Sequence, residues 1–342
     1  MQTREVDASA VQALLAAAVA APSVHNTQPW RFGLDPDNTS ILVRVDRGRR
    51  LPVADPQLRA QYLSVGAAVF NIRVAAEFLG WEPVVRLRPA PDDADLLATV
   101  QLTEPAEGWQ PTLNELYGAV ERRHTSRMPF TGRPVPDPIV HEMISSARAE
   151  GAHLEVPDIM ATRRLLRLTA AAEARNAGHP ARAAEARTWI TAPGADAAYG
   201  IPFTALGPRD ASGRIPVRDF TGALPVPQLP ALRFERHAQA ALLWTSHDGR
   251  DDWLRAGQAL ERVLLTATVH GVRTSMLHQA MEWPDLRDAM AGSRRRCSPQ
   301  LLIRFGYGPE GARTPRAPAT LAADSVTGLE RGTRQGVAGS AE

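Results

Sequence analysis

The sequence lacks lysine entirely, because all 39 basic residues of the 342 are arginine. This absence excludes Schiff-base chemistry, a lysine general base and the phosphate-binding lysine of a Walker-type loop. Any bound phosphate must be held by arginine, whose planar guanidinium suits an oxyanion. Cysteine is nearly absent as well, since Cys297 stands alone. A single cysteine excludes a disulfide framework and a cysteine-based zinc site, and it is consistent with a reducing compartment.

Long apolar runs and a large excess of charge are also missing. No apolar stretch reaches the ~18 residues of a membrane-spanning helix, and the formal net charge is only +2. We therefore expect neither a membrane nor nucleic acid as a partner. The small apolar residues at 13–21 follow Arg4, Glu5 and Asp7 rather than a positive cluster. That order favours a helix rather than a signal peptide. We therefore expect a cytoplasmic location.

Two common functional motifs are present only as fragments. His141 and Glu142 begin an H-E-x-x-H pattern, but residue 145 is serine, so the second zinc ligand is missing. A G-x-G-x-x-G pattern at 306–311 contains Pro309, and proline-rich chain follows it where a helix is required. We therefore expect no metal site and no dinucleotide-binding fingerprint.

Apolar periodicity predicts a mixture of helices and strands, in an α+β or α/β fold. The predicted helices lie at 9–21, 57–79, 112–123, 137–150, 161–187 and 251–270. The predicted strands lie at 41–45, 96–102, 241–246 and 301–306.

An internal repeat indicates that the chain is duplicated. Residues 66–80 align without a gap on residues 257–271, and both segments end in the glycine expected at a helix C-terminus. A second match sets Val11, Leu14, Leu15 and Ala18 against Val140, Met143, Ile144 and Ala147. Because the two matches occur in the same chain order, they favour two copies of one unit, joined near 103–112.

Two segments carry most of the polar chemistry. Residues 21–32 read APSVHNTQPWRF, a dense set of hydrogen-bonding groups beside an aromatic residue, which suits a planar heteroaromatic ligand. Residues 121–130 read ERRHTSRMPF, and three arginines with two hydroxyls can bind a phosphate. A third segment, 192–230, is rich in proline and glycine but partly apolar, and is too long for an ordinary loop. We predict that it is a lid.

These segments resemble the nitroreductase superfamily. APSVHNTQPWRF is similar to the family's Pro-Ser-x-x-Asn-x-Gln-Pro-Trp segment, and Arg122 to Arg127 are similar to its basic phosphate-binding run. Helix 257–271 and the ending LLIRFGYG…TPR resemble the family's last helix, last strand and tail. In ordinary members the basic run comes first and the flavin sites form across a homodimer interface. The reversed order, the length and the repeat resemble the Acg-type, dormancy-associated branch, a fused pseudo-dimer.

The resemblance implies a nitroreductase-like α+β fold, with antiparallel-rich sheets flanked by helices and two duplicated halves forming an intramolecular pseudo-dimer. The first half is expected at 1–110 and the second at 111–309, including the lid insertion at 192–230. Residues 310–342 are expected to form a C-terminal arm and a flexible tail.

The resemblance also implies an FMN site. Arg123 and Arg316 correspond to the phosphate ligands, with Arg122, Thr125 and Arg313 in support, and Arg127 to the residue at the pyrimidine edge. The ring is expected to lie along Pro22, Ser23, Val24 and Asn26, with Met276, Leu277, His278 and Gln279 near flavin N5. This sequence departs from the family at His278 and Gln279, where ordinary members often have an acidic residue and glycine. It also lacks the mid-domain lysine.

The two halves complement each other in the residues they keep. The chain before the first polar segment has no arginine cluster, whereas the second half has the cluster but runs from Ala147 to Leu154 without a polar segment. One complete flavin site per chain is therefore expected, in a monomeric pseudo-dimer or a loose homodimer.

Three functions remain open at this stage. The first is an FMN-dependent oxidoreductase that takes a hydride from NADPH or NADH and reduces an electron-poor small molecule, such as a nitroaromatic or a quinone. The second is a protein that sequesters FMN beneath the lid and turns over little or not at all. The third is a flavin-free structural pseudo-dimer.

Overall fold

The computed structural model describes residues 6–191, 197–220, 229–294 and 296–321. The first half contains two helices and one antiparallel sheet with strand order β1-β2-β4-β3. Its elements are α1 (Ala8–Val19), β1 (Trp30–Leu34), β2 (Ser40–Val45), α2 (Arg59–Phe78), β3 (Glu82–Leu87) and β4 (Leu96–Thr103).

The second half repeats this arrangement and adds to it. Its antiparallel sheet has the order β5-β10-β12-β11, the strand order of the first sheet. The repeated elements are α4 (Asp137–Ala149), β5 (His153–Glu155), β10 (Gln239–Thr245), α7 (Arg250–Val269), β11 (Arg273–Leu277) and β12 (Ser298–Gly306). The additions are α3 (Tyr117–Val120), α5 (Ile159–Ala177), α6 (Pro180–Thr188), β6 (Ile190–Thr191), β7 (Ile201–Pro202), β8 (Arg209–Asp210), β9 (Ala231–Leu232) and α8 (Pro284–Ala291).

Strand sequence distinguishes the two sheets. Along β2, Ile41, Val43 and Val45 are buried while the residues between them are more exposed, so the alternating sequence covers one face of the sheet. Along β10, four consecutive apolar residues from Ala240 to Leu243 are buried. Helices α4 and α7 pack on one face of this second sheet, and α5 and α8 pack on the other. The fold is α+β, as the sequence predicted.

The two halves meet where α2 crosses α7, at glycines that the repeat makes equivalent. A Cβ on Gly66 would lie 2.2 Å from the carbonyl oxygen of Leu254, and one on Gly257 would lie 2.1 Å from that of Leu63. In the alignment Gly66 matches Gly257 and Leu63 matches Leu254. Reciprocal contacts between equivalent positions are the pattern of a two-fold interface. We therefore infer that the halves are related as the subunits of a dimer.

Two predicted helices are wrong in their extent. The segment 161–187 is two helices, α5 and α6, because Pro180 lacks the amide proton that would continue α5 and instead opens α6. The segment 112–123 is helical only at 114–120. Beyond it the chain becomes extended, and the Ser126 amide donates to the Thr274 carbonyl of β11 at 2.8 Å.

The C-terminal arm, residues 310–321, returns to the first half. The Ala317 amide donates to Gln28 Oε1 at 2.9 Å, and Leu321 forms a parallel bridge with Phe32 of β1. The predicted tail at 322–342 lies outside the described residues. Among the described helices, none is long and apolar enough to cross a membrane.

Candidate functional site

A cavity of about 270 Å³ lies where the two halves and the arm converge. The first half contributes the loop after α1 and the start of α2. The second half contributes the chain after α3, one turn of α7 and the end of β11. Eleven predicted site residues line the cavity: Pro22, Ser23, Val24, Asn26, Arg123, Thr125, Arg127, Met276, His278, Arg313 and Arg316.

Three predicted site residues are not among the residues that line the cavity. Arg122 is exposed, and its Nε donates to the Gly118 carbonyl at 2.8 Å, one helical turn back. Leu277 points into the core beneath α5 and α8, because side chains alternate along β11 and Met276 and His278 take the cavity side. Gln279 is fully buried, and its Nε2 donates to the Pro216 carbonyl at 2.9 Å.

The loop after α1 has an unusual backbone. His25, Asn26 and Gln28 have φ values of 50°, 55° and 49°, a left-handed conformation that costs energy in residues other than glycine. The Ser23 hydroxyl accepts from the Gln28 amide at 2.9 Å, and Asn26 Nδ2 donates to the carbonyls of Gly200 and Pro315. Much of the polarity of this segment therefore holds the backbone in place.

One end of the cavity is strongly cationic. The Arg123 side chain is only 2% exposed; its Nη2 donates to the Ala20 carbonyl at 2.8 Å. Arg316 donates to Asn26 Oδ1 at 2.9 Å and to Thr314 Oγ1 at 2.7 Å. Burial, together with the nearby charge of Arg123, lowers the pKa of Arg316 to about 9.

Arg127 lies between this end and an aromatic wall. Its guanidinium carbon is 4.9 Å from the ring centre of Phe220, and its Nη1 is buried without a hydrogen-bond partner. Burial lowers the pKa of Arg127 to about 10, with Arg218 acting in the same direction.

A histidine cluster faces the same cavity, and the sequence predicted only one of its members. The rings of His25 and His278 are 5.5 Å apart, and His25 meets Phe220 edge-on at 5.1 Å. Glu282 accepts from Arg182 at 2.8 Å and pairs with Arg218. Burial acts to raise the pKa of Glu282, but Arg218 and His278 hold it well below its ordinary value. His25, His278 and Glu282 have metal-site spacing, but the two arginines already neutralise the carboxylate.

Part of the segment 192–230 packs against the cavity. Ile201, Ala205 and Phe220 line it, and Gln28 Nε2 donates to the Ala198 carbonyl at 2.7 Å. Gly207 has a φ of 75°, and a Cβ there would lie 2.6 Å from the Cβ of Arg127. Residues 192–196 and 221–228 of the predicted lid lie outside the described residues.

Sequence analysis missed two residues with buried polar atoms at or beside the cavity. Both ring nitrogens of His25 lack a partner, although the residue is named within the predicted segment. Glu261 on α7 is fully buried, with Oε1 at 3.3 Å from Arg123 Nε. The sequence did contain a signal for Glu261. It is a charged residue on the apolar face of a predicted helix, at the position that the repeat matches to Phe70.

The donor set fits a ligand with an anionic group and a flat ring. Arg127 Nη1 and Arg316 Nε are buried donors that make no hydrogen bond, and Arg123 Nε has only the Glu261 carboxylate at 3.3 Å. Such donors are costly unless an anion accepts from them. The walls between the cationic end and Phe220 include the apolar side chains Leu63, Val120, Ile201 and Leu260.

Comparison with known proteins finds relatives that match almost the whole chain. Scanning the sequence against protein-family models finds no match. A Mycobacterium tuberculosis protein named "Putative NAD(P)H nitroreductase Rv3131" is 33% identical over 322 residues, covering 91% of this chain and 89% of the relative. Another from that organism, "Putative NAD(P)H nitroreductase acg", is 30% identical over 334 residues, covering 95% and 96%.

Solved structures extend the comparison to the fold. The crystal structure of a "putative nitroreductase" from Anabaena variabilis superposes with a TM-score of 0.51 at 10% identity, and 88% of each chain is covered. The molecule therefore has a nitroreductase fold across almost its whole length. Given its identity to the mycobacterial relatives, the chain belongs to the nitroreductase family, in the Acg-type branch.

Proposed function

We propose that this protein binds FMN in the cavity and acts as an NAD(P)H-dependent oxidoreductase of the nitroreductase type. The observation that carries the proposal is the convergence of Arg123 and Arg127, from the chain after α3, with Arg316 from the distant arm, each with a buried donor atom that makes no hydrogen bond. The names of the mycobacterial relatives, which give NAD(P)H nitroreductase as their activity, support the same function.

Different residues would bind the phosphate and the ring of FMN. Arg123 and Arg316 would bind the phosphate, with Arg313 and Thr125 beside them. The loop of Pro22 to Asn26 would lie along the isoalloxazine ring, with Met276 and His278 near N5. When bound, FMN supplies hydride transfer, accepting from NADPH or NADH and reducing an electron-poor acceptor such as a nitroaromatic or a quinone.

The protein's own contribution is orientation and charge. Arg127 places a poorly hydrated positive charge at the pyrimidine edge of the ring, where it favours negative charge on the ring. Ile201, Ala205 and Phe220 line the cavity, and these apolar side chains would limit the access of water to the ring. No acid–base side chain is required for a hydride to move, so we assign no catalytic residue.

A second candidate, FMN sequestration with little turnover, rests on the segment that covers the cavity. The Arg218 pair with Glu282 and the Gln279 bond to Pro216 attach this segment beside His278. A closed cover at that place would keep a bulky nicotinamide from the ring.

One assay separates the candidates. Purified protein is loaded with FMN, mixed anaerobically with NADPH or NADH, and followed at the visible flavin band. Prompt bleaching supports the oxidoreductase, and bleaching with dithionite alone supports sequestration. Colourless protein that does not bind added FMN would contradict both and favour a flavin-free structural role.

A further inference from the structure

A buried carboxylate lies directly against the arginines of the cationic end. Glu261 on α7 is fully buried, and its Oε1 is 3.3 Å from Arg123 Nε. A hydrogen bond with the Asn71 side chain on α2 joins Arg123 in holding down the pKa of this carboxyl. Arg316 is the other charged residue that acts on it. A side chain in this position is costly to bury, so its presence needs a reason.

Helix packing does not supply that reason. In the internal repeat Glu261 is equivalent to Phe70 on α2, which is fully buried in the core. An apolar residue therefore fits the same position of the same helix crossing. At this position only the second half has a carboxylate, and Arg123 lies beside it.

The charges of the cluster explain what a carboxylate does there. The charges buried here, those of Arg123, Arg316 and ionised Glu261, sum to one positive charge, whereas Arg313 lines the cavity from an exposed position where water screens it. A phosphate monoester brings a charge of about −1.5 to −2 at neutral pH, which overshoots neutrality while Glu261 is ionised. One proton on Glu261 brings the loaded cluster close to zero net charge.

We propose that Glu261 takes up a proton from solvent when a phosphate monoester binds to Arg123 and Arg316, so that cofactor binding is coupled to protonation. The inference rests on the proposed FMN site and deepens it. In the free protein the carboxylate pairs with Arg123 and offsets the charge of Arg316, and on phosphate binding it becomes a neutral acid. The carboxyl is a positioning residue and makes no contact with the flavin ring.

The titration range of the group suits this role. Burial raises the pKa of Glu261 to about 7, against the opposing charges of Arg123 and Arg316. Among the described residues, the other elements packed on it contribute no further titrating group: α2 presents Asn71, and α1 with the residue after it presents the Ala17 and Ala20 carbonyls, which accept from Asn71 and Arg123.

The expected sign is a loss of affinity as the pH rises. Between about pH 6.5 and pH 8, ionisation of Glu261 in the free protein should weaken FMN binding roughly fivefold. The second ionisation of the phosphate, near pH 6, acts in the opposite direction and so cannot produce this loss. Arg316, with a pKa of about 9, titrates above this range.

The experiment is calorimetric titration of FMN into the apoprotein, in two buffers of different ionisation enthalpy and across that pH range. The parent should take up about half a proton or more near pH 7.5 and show the affinity loss. Glu261→Gln keeps the shape of the side chain, and it should remove both signals and bind more tightly than the parent at pH 8. Riboflavin, which has no phosphate, should bind without proton uptake in either protein.

The matched control is Glu150→Gln. Glu150 is a buried carboxylate that pairs with two arginines, Arg73 and Arg262, away from the cavity, and its replacement should leave the proton uptake unchanged. Tight FMN binding with equal proton uptake in the parent and Glu261→Gln would overturn the inference and leave the FMN site standing. Absence of FMN binding in the folded parent would instead refute the proposed function.

Discussion

Single residues determine the electrostatics of the cavity. Arginine supplies its positive charge, and Arg123 is the most buried of the arginines that line it. Arg123 comes from the chain after α3, whereas Arg316 comes from the arm, and both donate toward the Ala20 carbonyl at the end of α1. A phosphate bound here would therefore connect three distant parts of the sequence.

Arg123→Ala should weaken FMN binding about tenfold to a hundredfold, because a charged hydrogen bond contributes about 1.5–3 kcal/mol. The dissociation constant is measured by quenching of FMN fluorescence. The change also leaves Glu261 without its nearest partner, so the double variant with Glu261→Gln separates loss of the phosphate contact from loss of stability.

The sequence neighbour provides the control for this change. Arg122 is exposed and bonded to its own helix, so Arg122→Ala should keep the parent affinity. An Arg123→Ala protein with unchanged flavin content would count against the whole phosphate assignment.

His25 predicts a dependence of stability on pH. Burial lowers the pKa of His25 well below its ordinary value, with the charge of Arg218 as the next cause. Below about pH 6.5 the unfolded chain binds a proton that the folded protein does not. The free energy of unfolding must therefore decrease as the pH is lowered. Between about pH 7 and pH 5.5 the loss from this residue should be about 1 kcal/mol.

His25→Asn tests this sign, since asparagine tolerates the left-handed backbone. Denaturant unfolding of the FMN-free protein should show a shallower pH dependence in His25→Asn than in the parent. The exposed His237 offers a comparison, and His237→Asn should keep the parental slope. Equal slopes in the parent and His25→Asn would show that His25 is not held neutral.

At the scale of elements, the crossing of α2 and α7 joins the halves. Gly66 lies so close to the Leu254 carbonyl that any side chain must separate the helices. Gly66→Ala should therefore lower the free energy of unfolding by about 3 kcal/mol or more. Equilibrium unfolding in denaturant measures this change in the free energy of unfolding.

A helical glycine with free space around it is the control. Gly118 in α3 is exposed, and a Cβ there meets nothing within 4 Å. Gly118→Ala should be neutral or slightly stabilising, because alanine favours helix by up to about 1 kcal/mol. A Gly66→Ala protein as stable as Gly118→Ala would mean that the crossing is not tightly packed.

The predicted lid, at 192–230, is the second element with a testable role. Replacing 201–226 by a short Gly-Ser linker keeps Gly200, whose carbonyl accepts from Asn26, and removes Phe220 and Arg218 from the cavity side. Stopped-flow reduction by NADPH should become faster while FMN stays bound, because the ring loses its cover and keeps its phosphate contacts.

Dithionite reduction provides the control, since a small reductant needs less access. If the truncated protein keeps its FMN and NADPH reduces it no faster than the parent, the segment is not the gate. Slow reduction would then have to come from the surroundings of N5, near His278 and Gln279.

At the scale of the whole molecule, we predict that duplication leaves one complete site. In the second half α4 runs into β5 with only a short turn at 150–152. Glu150 at that turn pairs with Arg73 and Arg262. The turn equivalent to the loop after α1 is therefore short and held by ion pairs. Acid release should therefore yield close to one FMN per chain, measured by flavin absorbance against protein concentration.

The mass of the assembly is measured on the same sample. We expect a monomer that contains its own pseudo-dimer interface, observed by light scattering on a sizing column. A ratio near two FMN per chain would mean that the second site is intact and that the complementarity of the halves was misread.

The sequence alone was enough for the family, the α+β class and the repeat, and eleven of its fourteen predicted site residues line the cavity. Those features are local: they depend on motif order, apolar period and the alignment of 66–80 with 257–271. The break between α5 and α6 was also encoded locally, at Pro180, although periodicity alone concealed it. Side chains alternate along β11, so Met276 and His278 face the cavity while Leu277 faces the core. A family motif that is transferred residue by residue does not distinguish these two directions.

Only the tertiary structure brought Glu261 against Arg123, and His25 against Phe220 and His278. These pairs are far apart in sequence, and each is set by the crossing of helices and the path of loops rather than by local preference. Their chemistry also depends on burial, which shifts the pKa values of His25 and Glu261 only once water is excluded. The sequence therefore determined which groups are available, and the fold decided which are desolvated together.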